Sequence, residues 1–458
     1  MTASLAGPVE DLVARAAALA PAELPGEVLD HIGLVFADCV GVMAAGARSA
    51  EIVALAADRS LGLAGDPSPE TARALAPGGG HGPPATVAWL NGTAGTFLEL
   101  DEGFRPTGHP AIHVVPAALA VAEATGAGGA ELAAAIAAGY EVAARLFECF
   151  VLPRAMHPHG HFGAIGAATA VAMLSRRDPV ALARIAATQP LLTGWDACYE
   201  GATARNTWAG HANRAGVLAG VLHRAGFTGS LTSHMSVVEP YAASPDVLTD
   251  PVGGGTLRIR RNYFKFHSAC ALNHGVLDAL RAAWDGLAVQ DPWEVRRIEV
   301  TTVSANLRID RLPAPNALST RFSLPYAVAA ALVTGSTRPA SFEWDARIAE
   351  YARRVTVAAD PAMDALWPEA APARVLVRTA TESREATVPN PRGHHSRPAT
   401  REELRDKFVS LLADDPGPVP GAGGSRGRRG ALVRCFDALA DVARVTDCSA
   451  LPLPPAQC

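Results

Sequence analysis

Lysine is nearly absent from this sequence of 458 residues. Of its 40 Lys and Arg side chains, only Lys265 and Lys407 are lysine, so arginine carries nearly all of the positive charge. Aromatic residues make up only 6% of the chain, whereas alanine is abundant. Alanine has the highest helix propensity and aromatic residues are enriched in strands, so this balance favours close-packed helices over a β-sandwich.

Further absences narrow the class of protein. A formal net charge of −5 gives no basic surface for nucleic acid or an anionic membrane. The stretch that comes closest to a membrane span, residues 114–147, is interrupted by charged side chains. The N-terminus lacks the basic region of a secretory signal, and seven cysteines without a CxxC pair predict neither disulfides nor a zinc site. We expect a cytoplasmic protein with reduced thiols and no nucleic-acid or membrane partner.

The common nucleotide and acyl-enzyme motifs are also missing. Glycine-rich stretches at residues 78–80, 126–129 and 253–255 lack the strand-then-helix setting and the GK[ST] ending of a phosphate-binding loop. The sequence contains no GxSxG nucleophile elbow, which disfavours a serine hydrolase. We therefore expect a protein that works without a cofactor.

The length of the chain predicts two domains, because a single hydrophobic core stops growing well below this size. Helical spacing of apolar residues, punctuated by glycine or proline, recurs through the first half of the chain. The predicted helices cover residues 27–43, 113–123, 130–147, 163–174, 179–192 and 207–224. We predict an all-α first domain over residues 1–261.

The pattern changes near residue 256, where short alternating stretches predict strands with helices between them. The strands are expected at residues 257–260, 295–303, 353–357, 374–379 and 385–388, and the helices at 271–284 and 324–334. Residues 262–398 should form a smaller α+β domain. A capping box at Thr400 and Glu403 starts a helix, and a loop at 416–430 leads into a last helix at 431–445. Residues 399–458 should return to the first domain, which makes the fold mainly α with an inserted α+β lid.

The first polar cluster combines carboxylates with an imidazole at a break between helices. Glu99, Asp101, Glu102 and His109 lie within eleven residues of one another. Such a group can supply a general base and the acid that orients it. The alternative is an acidic, solvated helix end, since charged loops of this kind are common.

The second cluster is an alternating row of histidines, His157, His159 and His161, before the helix predicted at Gly163. The spacing raises a zinc interpretation, but no further ligand set at metal spacing completes it. A base or acid in a pocket at the start of a helix is the better functional interpretation, because imidazole titrates near neutrality. Alternatively, some of the three are exposed loop residues.

The third cluster lies at the expected junction of the domains and includes Lys265 between Phe264 and Phe266. Arginine keeps its proton in proteins, whereas lysine can be tuned by burial. A lysine in apolar company, in a chain that otherwise uses arginine, suggests a point charge for an anion or a role in proton transfer. Lys407 is the counter-example, because it falls in an ordinary amphipathic helix.

Taken in this order, the clusters resemble the MmgE/PrpD family, which includes 2-methylcitrate dehydratase, cis-aconitate decarboxylase and iminodisuccinate epimerase. The first is similar to the family's NGxxxHxxDxDD…HP…PAALA segment, the second to HPxGxxG and the third to (Y/F)K…H. The matching stretches are residues 91–94, 99–102, 109–110, 116–119, 157–163, 263–265, 273–274, 322–327 and 400–408.

The resemblance implies a helical domain built from both termini, an inserted lid, an active site in the cleft between them, and a homodimer. It also implies which positions form the active site. These are Glu99, His109, His157, Arg205, Lys265 and Tyr326.

This sequence departs from the family pattern at several of these segments. Glu99 stands at the position of an aspartate and Gly103 at that of a threonine. Arg205 occupies a lysine position and Trp208 a histidine position, while Cys270 replaces a histidine found in the decarboxylases. An arginine keeps the carboxylate clamp but removes a proton donor. The losses at 103 and 270 argue against decarboxylation.

The function expected from these residues is abstraction of a proton beside a carboxylate in a small di- or tricarboxylic acid. Arg205 and Lys265 would clamp carboxylates, and His109 or His157 would be the base with the other as acid. Glu99 or Asp101 would orient the histidine, and Tyr326 would donate to the substrate. Dehydration similar to that of 2-methylcitrate is favoured, with an epimerase as the main alternative.

Three less favoured functions remain open at this stage. A decarboxylase would need the residues that this chain lacks. A metal-dependent hydrolase would rest on the three alternating histidines, and we expect no metal. A non-catalytic relic that still binds substrate would explain the altered segment at 205–208.

Overall fold

The computed structural model of the protein describes residues 4–63, 65–191, 193–253, 257–289, 291–413 and 424–454. Helices dominate it, and the prediction of a mainly α protein is confirmed. The helices are α1 (Ala6–Ala17), α2 (Gly26–Gly46), α3 (Ala50–Ala57), α4 (Pro84–Thr96), α5 (Pro110–Thr125), α6 (Gly129–Cys149), α7 (Gly163–Leu174), α8 (Pro179–Ala186), α9 (Asp196–Glu200), α10 (Thr207–Arg224), α11 (Leu231–Val238), α12 (His274–Trp284), α13 (Ala317–Arg321), α14 (Leu324–Thr334), α15 (Ala346–Tyr351), α16 (Pro361–Asp364), α17 (Arg401–Ala413) and α18 (Gly424–Ala440). The strands are β1 (Ala72–Arg73), β2 (His81–Gly82), β3 (Arg297–Thr302), β4 (Val355–Ala359), β5 (Ala373–Arg378) and β6 (Ser383–Val388).

The larger hydrophobic cluster is built from helices of both chain ends. Helices α4, α5, α6, α7 and α10 pack against one another, and α17 and α18 pack on α2. Small residues allow this close packing. A side chain at Gly139 in α6 would collide with the backbone of Gly166 in α7, and the reverse also holds.

A proline inside α5 is accommodated by a buried asparagine. Pro116 cannot donate the hydrogen bond that the carbonyl of Ile112 would receive in a regular helix. Asn213 in α10 replaces it, donating from Nδ2 to Ile112 O at 2.7 Å and accepting from Ala117 N at 2.9 Å. This repair joins α5, which begins right after His109, to α10, which begins right after Arg205 and Asn206.

Among the described helices, α2 alone is long and apolar enough to cross a membrane, with a mean hydropathy of 1.7. From the sequence, residues 114–147, and not this helix, were expected to come closest to a membrane span. In the fold, 78% of this apolar window is buried inside the protein, as in a central core helix.

The second hydrophobic cluster surrounds a four-stranded sheet of order β4-β3-β5-β6. Strands β3 and β4 are parallel, with Val300 opposite Val357, and the other pairs are antiparallel. Helix α12 packs on β5 and β6. The second cluster draws mostly on residues 269–388 but also contains Trp195 and Cys198, and the first contains Phe264. The domain limits 1–261, 262–398 and 399–458 stay predictions.

Several local predictions differ from the structure. Residues 257–260 do not form a strand. Arg258–Arg261 is a 3-10 helix, because Arg258 is held by Glu141, Glu148 and Asp250 instead of a ladder. The short pair β1 and β2 interrupts the region that we expected to be all-α.

Helix boundaries differ at two more places. Helix α8 ends at Ala186, four residues before Pro190, which disfavours helical backbone in the residue before it. The predicted end of this helix, Leu192, lies outside the described residues. Helix α18 begins at Gly424 within the predicted loop, of which residues 416–423 also lie outside the described part.

Candidate active site

A cavity of about 230 Å³ is lined by residues of the helical region and of the region around the four-stranded sheet, which we call the lid. Five of the six positions implied by the resemblance line it, and these are Glu99, His109, His157, Arg205 and Lys265. Phe322, Cys270 and Arg308 contribute from the lid side. The structure therefore brings these residues together from segments that are far apart in the chain, and their roles stay predictions.

Tyr326 is the exception, and the expectation for it is corrected. Its hydroxyl donates to the carbonyl of Glu343 at 2.7 Å and accepts from the backbone N–H of Asp345 at 2.9 Å. The side chain is buried inside the lid and lies outside the cavity. Tyr326 therefore holds lid backbone in place and does not contact a substrate in this arrangement.

The carboxylate loop, residues 99–102, follows α4 and is buried throughout, which excludes the solvated helix end. Glu99 adopts φ of +50°, a left-handed conformation that is uncommon for a residue with a side chain. Its carboxylate is held by Arg205 Nη1 at 2.6 Å and lies 3.5 Å from Lys265 Nζ. Lys265 Nζ is also 3.2 Å from Asp101 Oδ1. Two carboxylates and two cations thus balance one another beside the cavity.

Burial opposes charge in this group, but the ion pairs outweigh it. Burial would raise the pKa of Asp101, yet Lys265 and His109 lower that pKa well below its usual range. Burial would lower the pKa of Lys265, yet Asp101 and Glu99 raise it. Lys265 therefore keeps its positive charge. Of the two roles expected from the sequence, this favours a point charge for an anion over proton transfer.

Lys407, the second lysine, also contacts the carboxylate loop, and nothing in the sequence indicated this contact. Lys407 is buried, donates to the carbonyl of Leu100 at 3.0 Å and pairs with Asp38 at 2.7 Å. Both lysines of the chain therefore contact the carboxylate loop. One contacts its side chains and the other its backbone. The amphipathic pattern of α17 concealed this, because a buried pair leaves no signature in spacing.

His109 precedes α5 and has a defined tautomer. Its Nδ1 lies 2.8 Å from the carbonyl of Glu102 and 2.9 Å from Asp101 Oδ2. The carbonyl of Glu102 can only accept, so Nδ1 carries a proton directed at it, while Asp101 Oδ2 makes a close ionic contact without a hydrogen bond. The lone pair is then on Nε2, where a base needs it.

The three alternating histidines are all buried, so none of them is an exposed loop residue. Thr193 holds the loop by donating to the carbonyls of His157 and His159, at 2.8 and 2.9 Å. Its hydroxyl also lies 3.3 Å from Nε2 of His161. His157 lines the cavity, whereas His161 lies outside it, which separates the roles of the three rings.

Both ring nitrogens of His157 face N–H donors. Nδ1 lies 3.2 Å from the backbone N of His159, whose N–H it can accept, and Nε2 lies 3.4 Å from Nη2 of Arg205. Burial and the neighbouring Arg205 lower the pKa of His157 well below its usual value, so the ring is neutral at neutral pH.

His159 stacks between the two cavity histidines, with ring centroids 4.8 Å from those of His109 and His157. Its Nδ1 lies 3.0 Å from Nε2 of His113, and Nδ1 of His113 lies 2.8 Å from the carbonyl of His109. Gly163 of the HPxGxxG segment makes room for His113, because a Cβ there would lie 2.3 Å from that ring.

One group in the described part of the chain could hold a metal ion. Asp101, His109 and His159 each offer a ligand atom, and these atoms lie within 4.8 Å of one another. The alternating trio does not supply such a group, since His161 faces Thr193. Lys265 and His109 Nδ1 already contact the oxygens of Asp101, so a dication would compete with the positive charge of Lys265.

The departures from the family pattern have structural explanations at two positions. A Cβ at residue 103 would lie 2.2 Å from the hydroxyl of Tyr263, so the tyrosine ring fills the space of a larger side chain at Gly103. Cys270 lines the cavity as a thiol, and burial raises its pKa to about 12. It offers no proton transfer near neutrality, unlike a histidine.

Several residues of the cavity wall received no role from the sequence analysis, among them Trp195, Phe322 and Arg308. Trp195 packs on His157 with ring centroids 4.5 Å apart and donates from Nε1 to the carbonyl of Met156 at 2.9 Å. Phe322 lies 5.1 Å from the guanidinium of Arg205. Arg308 lies over Trp195 at 4.6 Å. The many arginines of the chain gave no reason to choose Arg308.

Comparison with known protein families agrees with this arrangement. The MmgE/PrpD N-terminal domain matches residues 10–236, and the MmgE/PrpD C-terminal domain matches residues 267–417. No curated protein matches the chain. The two matches cover most of the sequence in the family's order, and members of this family are generally dehydratases or related lyases that act on carboxylic acids. The chain belongs to the MmgE/PrpD family.

Proposed function

We propose that the protein is a cofactor-independent lyase that removes a proton beside a carboxylate of a small di- or tricarboxylic acid. The favoured reaction is a dehydration similar to that of 2-methylcitrate. The observation that carries this proposal is that His109 and His157 line one cavity beside Arg205 and Lys265. We assign the proton of His109 to Nδ1 and that of His157 to Nε2, so that the first ring offers a lone pair and the second an N–H beside Arg205.

His109 is the base. Its Nδ1 proton is directed at Glu102 O, so the ring can accept a second proton on Nε2. The negative charge of Asp101 stabilises the imidazolium that forms, as the orienting carboxylate of a catalytic triad does. Of the two candidates for orienting the base, Asp101 has the contact, whereas Glu99 binds Arg205 and Lys265.

His157 acts as a hydrogen-bond donor and not as the acid that we first considered. Because its ring is neutral, losing its proton would leave an imidazolate, which is strongly unfavourable near neutral pH. A neutral imidazole can still stabilise an oxyanion by donating to it, as in triosephosphate isomerase. With the proton of His157 assigned to Nε2, this nitrogen and Nη2 of Arg205 are both donors, and they lie 3.4 Å apart. A carboxylate oxygen placed between them would accept from both.

Lys265 completes the binding of the reacting carboxylate. An ammonium has three N–H donors, and Asp101 and Glu99 account for two of them. The third is available to a substrate oxygen. Deprotonation beside a carboxylate places a second negative charge on that group, so donors fixed in advance lower the barrier most.

In the proposed step, Nε2 of His109 takes the proton and the C–H electron pair moves towards the carboxylate. The electrons then form the carbon–carbon double bond as the neighbouring C–O bond breaks. The same Nε2–H protonates the departing hydroxyl, which leaves as water, and His109 becomes neutral again. One ring thus takes and returns the proton, which predicts loss of hydrogen and hydroxyl from the same face.

The test is incubation with citrate-like, aconitate-like and aspartate-derived acids in heavy water, followed by proton NMR. A dehydratase produces an alkene from a hydroxy acid and labels the alkene substrate in the reverse direction. An epimerase instead incorporates deuterium with inversion and without loss of water. If no acid in the panel reacts or exchanges, the proposal is wrong. The homodimer, the cytoplasmic location and the absence of nucleic-acid or membrane partners stay predictions.

A further inference from the structure

Four cations line the cavity, and their partners differ. Arg205 and Lys265 are paired with Glu99 and Asp101. A third arginine of the wall, Arg105, donates to the side chain of Asn390 at 2.8 Å. The carboxylates of the loop therefore already balance the two cations nearest to the reacting centre.

Neither Arg105 nor Arg308 has a carboxylate partner among the described residues, and Arg308 also lacks a hydrogen bond like the one that Arg105 makes. Its Nε is buried and has no hydrogen-bond partner among the described residues. Within the same part of the chain, its guanidinium makes no ion pair, and its neighbours are Trp195, Tyr199, Cys270 and the like-charged Arg154. A cation at a cavity wall that has no anionic partner in the protein can be neutralised by an anionic ligand in the cavity.

The position of Arg308 is fixed from both sides of the cavity. It belongs to the 3-10 helix Ser304–Ile309 of the lid and lies 4.6 Å from the ring of Trp195. The same ring packs 4.5 Å from His157, and its N–H is bonded to the carbonyl of Met156. Trp195 therefore spans the distance between the guanidinium of the lid and the donors beside Arg205.

We propose that Arg308 binds the second carboxylate of the substrate and thereby selects short acids with at least two carboxylates. The inference rests on the proposed function, in which the first carboxylate lies between His157 and Arg205. The planar guanidinium of Arg308 can grip the second carboxylate through two parallel hydrogen bonds. The face of Trp195 contacts the carbon chain between the two carboxylates.

The charges of Arg205 and Lys265 are balanced by the carboxylate loop, and Arg308 adds a positive charge that no carboxylate of the described residues balances. A single carboxylate meets donors whose charge is already compensated by Glu99 and Asp101. A second carboxylate meets an uncompensated cation in a partly desolvated site, where a charge-assisted hydrogen bond is strong. Recognition of the second carboxylate therefore provides much of the binding free energy.

The experiment compares Arg308→Met with Arg311→Met. Arg311 lies three residues further along the lid, stacks on Tyr199 at 3.6 Å and lies outside the cavity, so it matches the change in charge and in ring stacking. Calorimetric titration measures the binding of tricarballylate, succinate and butyrate to each full-length protein. Arg308→Lys tests whether the planar fork is needed beyond the positive charge.

We expect Arg308→Met to weaken the binding of tricarballylate and succinate about ten- to hundred-fold, with Arg311→Met close to wild type. Butyrate binding should be equal in all variants, and Arg308→Lys should fall between wild type and Arg308→Met. Equal affinity of wild type and Arg308→Met for the dicarboxylates overturns the inference, as does a wild-type protein that binds none of them.

The outcome separates this inference from the proposed function. A wild type that binds dicarboxylates through Arg308 but never exchanges hydrogen with any acid contradicts the proposed reaction and supports the subsite. A wild type that turns over a hydroxy acid, with an unchanged KM in Arg308→Met, supports the reaction and contradicts the subsite.

Discussion

Two buried charge clusters in the helical region differ in how completely their hydrogen bonds are satisfied. In the structural cluster, Arg145 donates from Nε to Glu141 at 2.7 Å, and its Nη atoms donate to the carbonyls of Val247, Asp250 and Pro251. In the cavity cluster, Arg205 binds Glu99, but its Nε has no partner among the described residues.

The difference shows what distinguishes a functional charge from a structural one in this protein. Both clusters are buried and both pair carboxylates with arginines, so burial and charge alone do not separate them. The cavity cluster also has Glu99 in a left-handed conformation and the Nε of Arg205 without a partner among the described residues. Such unmet donors and strained backbone concentrate at sites where a ligand completes the arrangement.

The strongest test of this contrast is His109→Gln in the cavity. Loss of the base should lower kcat about a hundred- to ten-thousand-fold, the range that positioned acid–base groups provide. The thermal midpoint should change little, because His109 donates to one carbonyl and is partly exposed. Steady-state kinetics and heavy-water exchange measure the first effect, and thermal unfolding measures the second.

His161→Gln is the matched control for this experiment. This ring is also buried and lies in the histidine loop, but it contacts Thr193 and lies outside the cavity. It should keep kcat near wild type. Equal losses of activity in the two variants would contradict the role of His109 as the base and indicate a shared structural effect.

The structural cluster should respond in the opposite way. Arg145→Met leaves the buried Glu141 with only the distant guanidinium of Arg258, 3.9 Å away, and should lower the free energy of unfolding by about 3–5 kcal/mol. Below its unfolding temperature the variant should keep its kcat. Urea unfolding and kinetics at low temperature measure both quantities.

A second substitution refines the same prediction. Adding Glu141→Gln removes the stranded charge and keeps an acceptor for the backbone N–H of Arg258. The double variant should therefore be more stable than Arg145→Met alone, although three carbonyls still lack their donor. If the double variant is the less stable of the two, the loss arises from the backbone contacts and not from the buried charge.

The sequence predicted elements and site positions best where the signal is local. Helix α7 at Gly163–Leu174 and helix α14 at Leu324–Thr334 agree with the expected bounds, because apolar periodicity and flanking glycines define them. The contacts between distant segments were beyond such patterns. Lys407 against Leu100 and Trp195 against His157 depend on packing across hundreds or tens of residues.

The same limit explains the errors at the site. Tyr326 matched a family position, but whether a hydroxyl points to the cavity or to lid backbone depends on the local packing of residues 343–345. Glu102 was grouped with its neighbours as a possible catalytic acid. The structure shows that it accepts from Tyr140 and from the N–H of Ala111, and so helps to hold the start of α5.

Glu102 provides a smaller test, because burial raises its pKa from 4.5 to about 8. The folded protein therefore holds this proton at pH values where the unfolded chain has released it. The resulting stability is fully present below about pH 4.5 and is lost as pH rises through about 8, by up to about 1.4 kcal/mol per pH unit. Glu102→Gln should flatten this part of the stability profile.

The measurement is urea unfolding of wild type and variant across that pH window. Glu27→Gln, at a side chain that is 63% exposed on α2, serves as the control and should follow the wild type. Because both proteins contain the same buried histidines, their difference isolates Glu102. Parallel profiles for wild type and Glu102→Gln would show that the carboxyl is ionised in the folded protein over the whole window.

The smallest expected effect concerns metal, and it separates the proposed chemistry from its closest rival. Asp101, His109 and His159 could converge on an ion, but Lys265 contacts the same carboxylate. In the proposed mechanism Nε2 of His109 needs a free lone pair, so a bound dication would block the base. Incubation with EDTA should therefore leave kcat unchanged, and added zinc should inhibit. Loss of activity on chelation with recovery by zinc would assign His109 to a metal and contradict its role as the base.

His159→Gln extends the test, since it removes a possible zinc ligand but not the base. It should weaken zinc inhibition and leave heavy-water exchange in place.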